Sequence, residues 1–254
     1  PDPDNAGGGI VAAINFLRTF FSDRTTPPKH RLLPMHILCL RRSFLHILII
    51  ANGWLTQSPE LKNGDLLLAA DGGARHCLEL GLIPDYVIGD LDSLNAEDLE
   101  TLSSSGSRIL RFPSRKDYTD LELAIQHAEK LGATQVTLVA ALGARWDQTL
   151  ANVYLAAAST SFPIKIIDGE QEINFLHSGE ILKISGSPGD TVSLIPLSTQ
   201  AVGIRTENLE YPLNDETLEF GSTRGVSNIL LQPNASIALK HGLLMCTVIH
   251  HHKD

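Results

Sequence analysis

The sequence predicts an α/β fold: a mostly parallel sheet flanked by helices, followed by a C-terminal antiparallel β-sandwich or open barrel. Three features carry this reading. Short, nearly continuous apolar runs alternate with helix-like segments from Ile47 to Ile167, the pattern of a parallel sheet buried on both faces. After about residue 170, short alternating runs separated by turn signals replace the helices, as in antiparallel sheets. Six aspartates follow predicted strands, at the edge where open α/β sheets bind ligands. The expected division is an extension over 1–34, an α/β domain over 35–169 and a β-rich domain over 170–254.

In order along the chain, Ile47-Leu48-Ile49-Ile50 and Leu66 to Ala70 read as strands, ending at Asn52-Gly53 and Asp71-Gly72-Gly73. Ala74 to Leu80 reads as a helix stopped by Gly81, and Ala96 to Ser103 as a second, capped by Asn95. Strands follow at Tyr86 to Gly89 and Ile109 to Phe112. Thr119-Asp120-Leu121-Glu122 has the threonine-to-glutamate spacing of a capping box. Leu121, Ala124, Ile125, Ala128 and Leu131 then recur at helical spacing up to Gly132. After a strand from Val136 to Ala140, a helix beyond Asp147 is expected to bury Leu150, Val153, Tyr154 and Ala157. The strand Ile164 to Ile167 closes this half. Seven short strands are expected beyond it, starting at Glu172, Ile181, Thr191, Ala201, Ile229, Ser236 and Met245, with a turn at Leu213-Asn214-Asp215.

Composition narrows the function. The chain has 254 residues, 43% of them hydrophobic, enough for a packed core. Its net charge of -9 argues against a nucleic-acid or anionic-membrane surface. No apolar run reaches the length of a membrane span. Cys39, Cys77 and Cys246 are scattered, which suggests buried thiols in a reducing, cytoplasmic compartment. Residues 10–21 suit a short amphipathic helix without the features of a secretory signal. The chain opens on proline, and the first 34 residues read as a loosely attached extension. His250-His251-His252 reads as an exposed tail.

The chemistry points to a metal-assisted reaction of an anionic substrate. Clustered carboxylates repel one another unless a cation neutralises them, and hard oxygen ligands suit Mg²⁺. Asp90 and Asp92, one residue apart in Gly89-Asp90-Leu91-Asp92-Ser93, can reach a single ion, although an Asp-rich helix cap has the same composition. Asp71-Gly72-Gly73-Ala74 allows close approach of a ligand to the backbone, or is an ordinary turn. Asp117 and Asp120 follow Arg115 and Lys116, which suit phosphate oxygens or plain surface. Gly143-Ala144-Arg145-Trp146-Asp147-Gln148 joins a turn, a guanidinium and a carboxylate. Neither a G-x-x-x-x-G-K-[ST] loop nor a G-x-G-x-x-G fingerprint is present, and no serine-hydrolase elbow or zinc motif is found. His76 and His127 read as helix packing.

Taken in order, Asp71-Gly72-Gly73-Ala74, Gly89-Asp90-Leu91-Asp92-Ser93, Lys116-Asp117-Tyr118-Thr119-Asp120, Gly143 to Gln148 and Arg224-Gly225-Val226-Ser227-Asn228 resemble thiamine pyrophosphokinases over roughly residues 46 to 249. The resemblance implies pyrophosphoryl transfer from ATP to the thiamine hydroxyl, with Mg²⁺ as cofactor, in a homodimer. It implies Asp90, Asp92 and Asp120 as metal ligands, with Asp71, Asp117 and Asp147 lining the same pocket. Lys116 and Arg145 would offset phosphate charge, Gly72, Gly73, Gly143 and Gln148 would line the substrate site, and Ser227 and Asn228 would lie in the thiamine pocket. Ala144 departs from a second glycine common in the family and would narrow the approach to phosphate. A Mg²⁺-dependent phosphohydrolase and a noncatalytic thiamine or nucleotide sensor are the rival readings.

Overall fold

The computed structural model describes residues 44–143 and 145–251, so the N-terminal extension, Cys39, Ala144 and His252 lie outside the described residues. Six parallel strands form one end of a ten-stranded sheet. They are β1 (His46–Ile50), β2 (Leu66–Ala70), β3 (Tyr86–Gly89), β4 (Arg108–Arg111), β5 (Gln135–Val139) and β6 (Ile164–Asp168). Their order is β6-β5-β1-β2-β3-β4. Alternate residues of β1 enter different cores: Ile47 and Ile49 pack on one face, Leu48 and Ile50 on the other. This two-sided burial explains the unbroken apolar runs.

Four helices cover the faces. α1 (Gly73–Glu79) and α2 (Ala96–Ser104) bring Ala74, Cys77 and Leu102 to the Leu48 face. α3 (Asp120–Leu131) and α4 (Trp146–Ala157) bring Leu121, Ala124, Ile125, Ala128 and Ala156 to the other. The capping signals hold. Asn95 and Asp98 form a reciprocal capping box, Thr119 accepts from the Glu122 amide at 3.2 Å, and Gly132 ends α3 in the left-handed conformation. The stripe expected on α4 is rotated: Leu150 and Tyr154 are 49% and 51% exposed. Asn152 takes the inner face instead, donating its amide to Ala141 O at 2.7 Å, a bond that meets the cost of burying it.

Strand β7 (Gln171–His177) reverses direction beside β6, and the same sheet continues through β14 (Leu243–Ile249), β9 (Thr191–Pro196) and the short β12 (Asn228–Ile229). A second sheet has the order β11-β10-β13-β8. It comprises β8 (Ile181–Ser185), β10 (Gln200–Glu207), β11 (Asn214–Glu219) and β13 (Asn234–Ala238). Leu176, Val192, Leu194, Ile204, Leu218, Ile237 and Leu244 form the core between the two layers, which makes this half a sandwich. β11 lies where only a turn was expected. It is a polar edge strand with a single buried residue, Leu218, and Asp215 at positive φ distorts its pairing with β10.

His250 and His251 are anchored, contrary to the tail expected for them. Asp190 is buried and accepts from the Ser187 amide (2.8 Å) and the His251 amide (3.0 Å), and pairs with His250 Nδ1 at 2.9 Å. Burial alone would raise the Asp190 carboxyl, but these partners hold it below the usual carboxylate range. A carboxyl lowered in the folded state contributes stability above its unfolded pKa and loses it as pH falls through the folded value. Asp190→Asn is therefore expected to lower stability at pH 7 and to flatten its loss between about pH 5 and pH 3. Urea melts across that range check it; parallel pH profiles would contradict it.

Candidate active site

A cavity of about 550 Å³ opens at the carboxyl edge of β1, β2, β3 and β5. Three carboxylates, Asp71, Asp90 and Asp120, line it, and Asp92 stands next to them off the lining. Ligand oxygens of Asp71, Asp90 and Asp92 lie within 4.8 Å of one another, with Asp71 buried, Asp90 half-buried and Asp92 exposed. Asp120 joins them from the first turn of α3, so close that a Cβ built on Gly89 would lie 3.1 Å from both Asp120 Oδ1 and Asp71 Cβ. Gly89 also has φ of 155°, so this position admits only glycine without displacing the acidic residues.

The backbone is strained where the carboxylates turn inward. Asp71, Leu91 and Ala140, beyond β2, β3 and β5, have φ of 45°, 65° and 53°. Left-handed conformations cost non-glycine residues about 1–2 kcal/mol each, and such outliers concentrate at functional sites.

Lys116 supplies the cation. Its side chain is 13% exposed, and its ammonium lies 2.7 Å from Asp120 Oδ1 and 3.9 Å from Asp90 Oδ2. Burial raises the Asp120 carboxyl above its usual range, Lys116 opposes the rise, and the charges of Asp71 and Asp90 add to it. Ser93 donates to Asp71 Oδ2 at 2.5 Å and lies 3.4 Å from Asp92 Oδ1, tying the carboxylates of two loops. Asp71 Oδ1 is buried with no hydrogen-bond partner among the described residues. Ser93 was not singled out in the sequence, although it closes the Asp90-Asp92 motif.

The remaining site residues divide. Gly143, Arg145 and Gln148 line the cavity with Asn52, Trp54 and Thr149. Asp117 and Asp147 do not line it. Asp117 is exposed, and Asp147 is held by Arg145 through bonds of 3.2 and 2.5 Å, which lowers its carboxyl. Gly72 and Gly73 also lie off the cavity lining. A Cβ on Gly73 would lie 2.0 Å from Ile50 O and one on Gly72 2.3 Å from Asn52 Oδ1, so the pair lets α1 approach the end of β1.

Ser227 and Asn228 stand at β12, in the sandwich half. Ser227 is exposed at φ of 63°. Asn228 is buried and engaged within the chain: Oδ1 accepts from the Tyr211 amide (3.0 Å) and the Ile229 amide (2.9 Å), and Nδ2 donates to Tyr211 O (2.7 Å). The side chain clamps the Tyr211 peptide to β12.

The family model described as thiamin pyrophosphokinase, catalytic domain, matches residues 58–167, and the one described as thiamin pyrophosphokinase, vitamin B1 binding domain, matches residues 179–244. The chain belongs to the thiamine pyrophosphokinase family. Thiamine pyrophosphokinase of Bacillus subtilis is 26% identical over 203 residues, covering 78% of this chain and 95% of that protein. Thiamine pyrophosphokinase 1 of Arabidopsis thaliana is 25% identical over 225 residues, covering 78% and 84%. The crystal structure of the Bacillus subtilis protein shares the fold with a TM-score of 0.73 at 24% identity, over 82% of this chain and 100% of that one. The phosphohydrolase and sensor readings gain nothing from these matches. Within this family frame, Asn228→Ala is expected to destabilise the chain by about 0.5–1.5 kcal/mol per hydrogen bond lost, because the amide and carbonyl of Tyr211 lose the Asn228 side chain as partner. Urea denaturation checks this, and unchanged stability would show that the clamp carries no load.

Proposed function

We propose that the chain transfers the pyrophosphoryl group of ATP to the hydroxyl of thiamine, giving thiamine diphosphate and AMP. The observation that carries this reading is the convergence of Asp71, Asp90 and Asp92 at the sheet edge beside the cavity, with Lys116 paired to Asp90 and Asp120, in a chain of this family. In the reaction the thiamine oxygen bonds to the β-phosphorus, the bridge from that phosphorus to the α-phosphate breaks, and the hydroxyl proton leaves to a base. Phosphoryl-type transfer through a loose transition state depends chiefly on positioning and charge stabilisation.

The donor set fits a divalent cation: three hard carboxylates lie close together, and the buried Asp71 Oδ1 lacks a hydrogen-bond partner among the described residues. Asp71, Asp90 and Asp92 would hold Mg²⁺, a set that keeps two of the three ligands expected from the sequence. Bound there, Mg²⁺ would neutralise triphosphate charge and stabilise the departing AMP. Asp120 keeps Lys116 in place, and that ammonium offsets further phosphate charge. Gly143 and Arg145 border the same space, Arg145 being able to exchange Asp147 for a phosphate oxygen.

The thiamine pocket is assigned to the sandwich half, around Ser227, in a homodimer. Two segments support this: Glu210 N donates to Ile229 O and Leu231 N to Asn208 O, each at 2.9 Å. On and beside these segments Tyr211, Val226, Ile229 and Leu231 are exposed apolar side chains, the kind of surface that interaction sites use. A reducing, cytoplasmic setting suits Cys77 and Cys246, which are buried and free. Among the described residues, no helix is long and apolar enough to cross a membrane.

Incubation with ATP, Mg²⁺ and thiamine is expected to give AMP and thiamine diphosphate in equal amounts, read by chromatography. Free phosphate independent of thiamine would overturn the reading. Asp92→Asn is expected to cut turnover at least about a hundredfold with the fold intact by circular dichroism; near-normal turnover at saturating Mg²⁺ removes Asp92 from the site. Ser227→Trp, placed on an exposed turn, is expected to raise the thiamine KM more than the ATP KM. Mixing it with Asp92→Asn is expected to restore activity if each site draws on two subunits, whereas a fully active monomer contradicts the dimer.

A further inference from the structure

We infer that the chain has a second reactive site, in which the Thr137 hydroxyl is activated to take an acyl group from small esters. The site lies on the sheet face of Leu48 and Val139, opposite α3 and α4. A cavity of about 430 Å³ opens there, lined by residues of β1, β5, β6 and β7 and of the crossover from β1 to β2. That crossover contains no helix, so a loop overhangs this part of the sheet. None of the residues lining this cavity lines the one that holds Asp71, Asp90 and Asp120.

Three side chains from separate segments form a relay in it. Asp65 Oδ2 lies 2.9 Å from His46 Nδ1, and His46 Nε2 lies 2.8 Å from Thr137 Oγ1. A carboxylate beside Nδ1 fixes the imidazole proton there, which leaves Nε2 to accept from the threonine hydroxyl. Burial would raise the Asp65 carboxyl, but the Lys62 amide, donating at 3.0 Å, and His46 hold it below the usual carboxylate range. Asp65 is therefore ionised at neutral pH. All three residues line the cavity. Carboxylate, imidazole and hydroxyl in this order and at these distances are the arrangement by which an imidazole takes the proton of an attacking hydroxyl, and it is recognised by geometry rather than by sequence position.

The sheet sets the rest of the chemistry. Thr137 stands in β5 between two parallel neighbours, opposite Leu48 of β1 and Lys165 of β6. The ladders on both sides engage backbone amides of the kind that form an oxyanion hole elsewhere. Charge stabilisation falls instead to Lys165, which lines the cavity with its ammonium 2.8 Å from Glu172. Leu48, Val139 and Ile167 also line the cavity, and this apolar surface suits a short uncharged acyl chain. In the reaction Thr137 Oγ1 bonds to the acyl carbon, and the bond from that carbon to the leaving group breaks. The hydroxyl proton passes to His46 Nε2 and on to the leaving group, while Asp65 balances the charge of the imidazolium. Water then releases the acid and restores the hydroxyl. In that second step the leaving group is the threonine alkoxide, poorer than an aryloxide, so the acyl form accumulates when an aryl ester is the donor.

The full chain is incubated with p-nitrophenyl acetate, in the parent and in Thr137→Val, Thr137→Ser, His46→Gln and Asp65→Asn, each checked for folding by circular dichroism. The parent is expected to release a burst of nitrophenolate and to gain one acetyl group, placed on Thr137 by peptide mass spectrometry. Thr137→Val is expected to lose both and Thr137→Ser to keep them. His46→Gln is expected to slow the burst at least about a hundredfold, and Asp65→Asn at least about tenfold. If Thr137→Val does not fold, the position of the acetyl group in the parent and the rate in His46→Gln decide. A folded parent without a burst, acetyl groups on lysines alone, or a burst that survives in Thr137→Val or is not slowed in His46→Gln would each overturn the inference. The result stands apart from the formation of thiamine diphosphate, which the incubation with ATP, Mg²⁺ and thiamine reads separately.

Discussion

Four carboxylates packed at one sheet edge repel one another, and the architecture of the N-terminal half is arranged around holding them. Lys116 bridges Asp120 and Asp90, and Ser93 ties Asp71 to Asp92. One ammonium and one hydroxyl cannot balance four negative charges at neutral pH. The shortfall is what a divalent cation would make up, and Asp71 Oδ1 already stands buried without a protein partner among the described residues. The left-handed backbone at Asp71 and Leu91 and the bare Gly89, crowded by Asp71 and Asp120, follow from aiming these groups at one point.

The sheet carries that constraint into the rest of the molecule. Parallel strands put β2, β3 and the start of α3 at a common edge, and the two cores on either side fix them there. β7 then reverses beside β6, and the same sheet becomes one layer of the sandwich. The ten-stranded sheet therefore runs through both family matches, over 58–167 and 179–244, while all of the second sheet lies within the latter.

Much of this was legible where local chemistry decides structure. Asn95, Thr119 and Gly132 announce helix ends because caps act within one turn, and the apolar runs of β1, β2 and β5 announce strands buried on both sides. Legibility failed where tertiary partners decide. Asn152 buries its amide on Ala141 and turns Leu150 and Tyr154 outward, which helical spacing alone does not reveal. β11 has one buried residue and reads as polar loop. His250 looked like a tail until Asp190 received it. In the site, six aspartates after strands pointed to the carboxyl edge of the sheet, yet only distances separate Asp71, Asp90, Asp92 and Asp120 from Asp117 and Asp147. Asn228 reads the same in sequence whether it faces a ligand or clamps Tyr211.

The most direct measurement of the central claim is thermal unfolding against Mg²⁺ concentration, for the parent chain and for Asp71→Asn and Asp90→Asn. A cation that binds the folded state alone raises the melting temperature with its concentration. The account predicts that Mg²⁺ stabilises the parent, that ATP with Mg²⁺ stabilises it further, and that both variants lose the Mg²⁺ response while melting at or above the parent's metal-free temperature, because each removes a repelling charge. A parent indifferent to millimolar Mg²⁺, or variants that respond as the parent does, would contradict it.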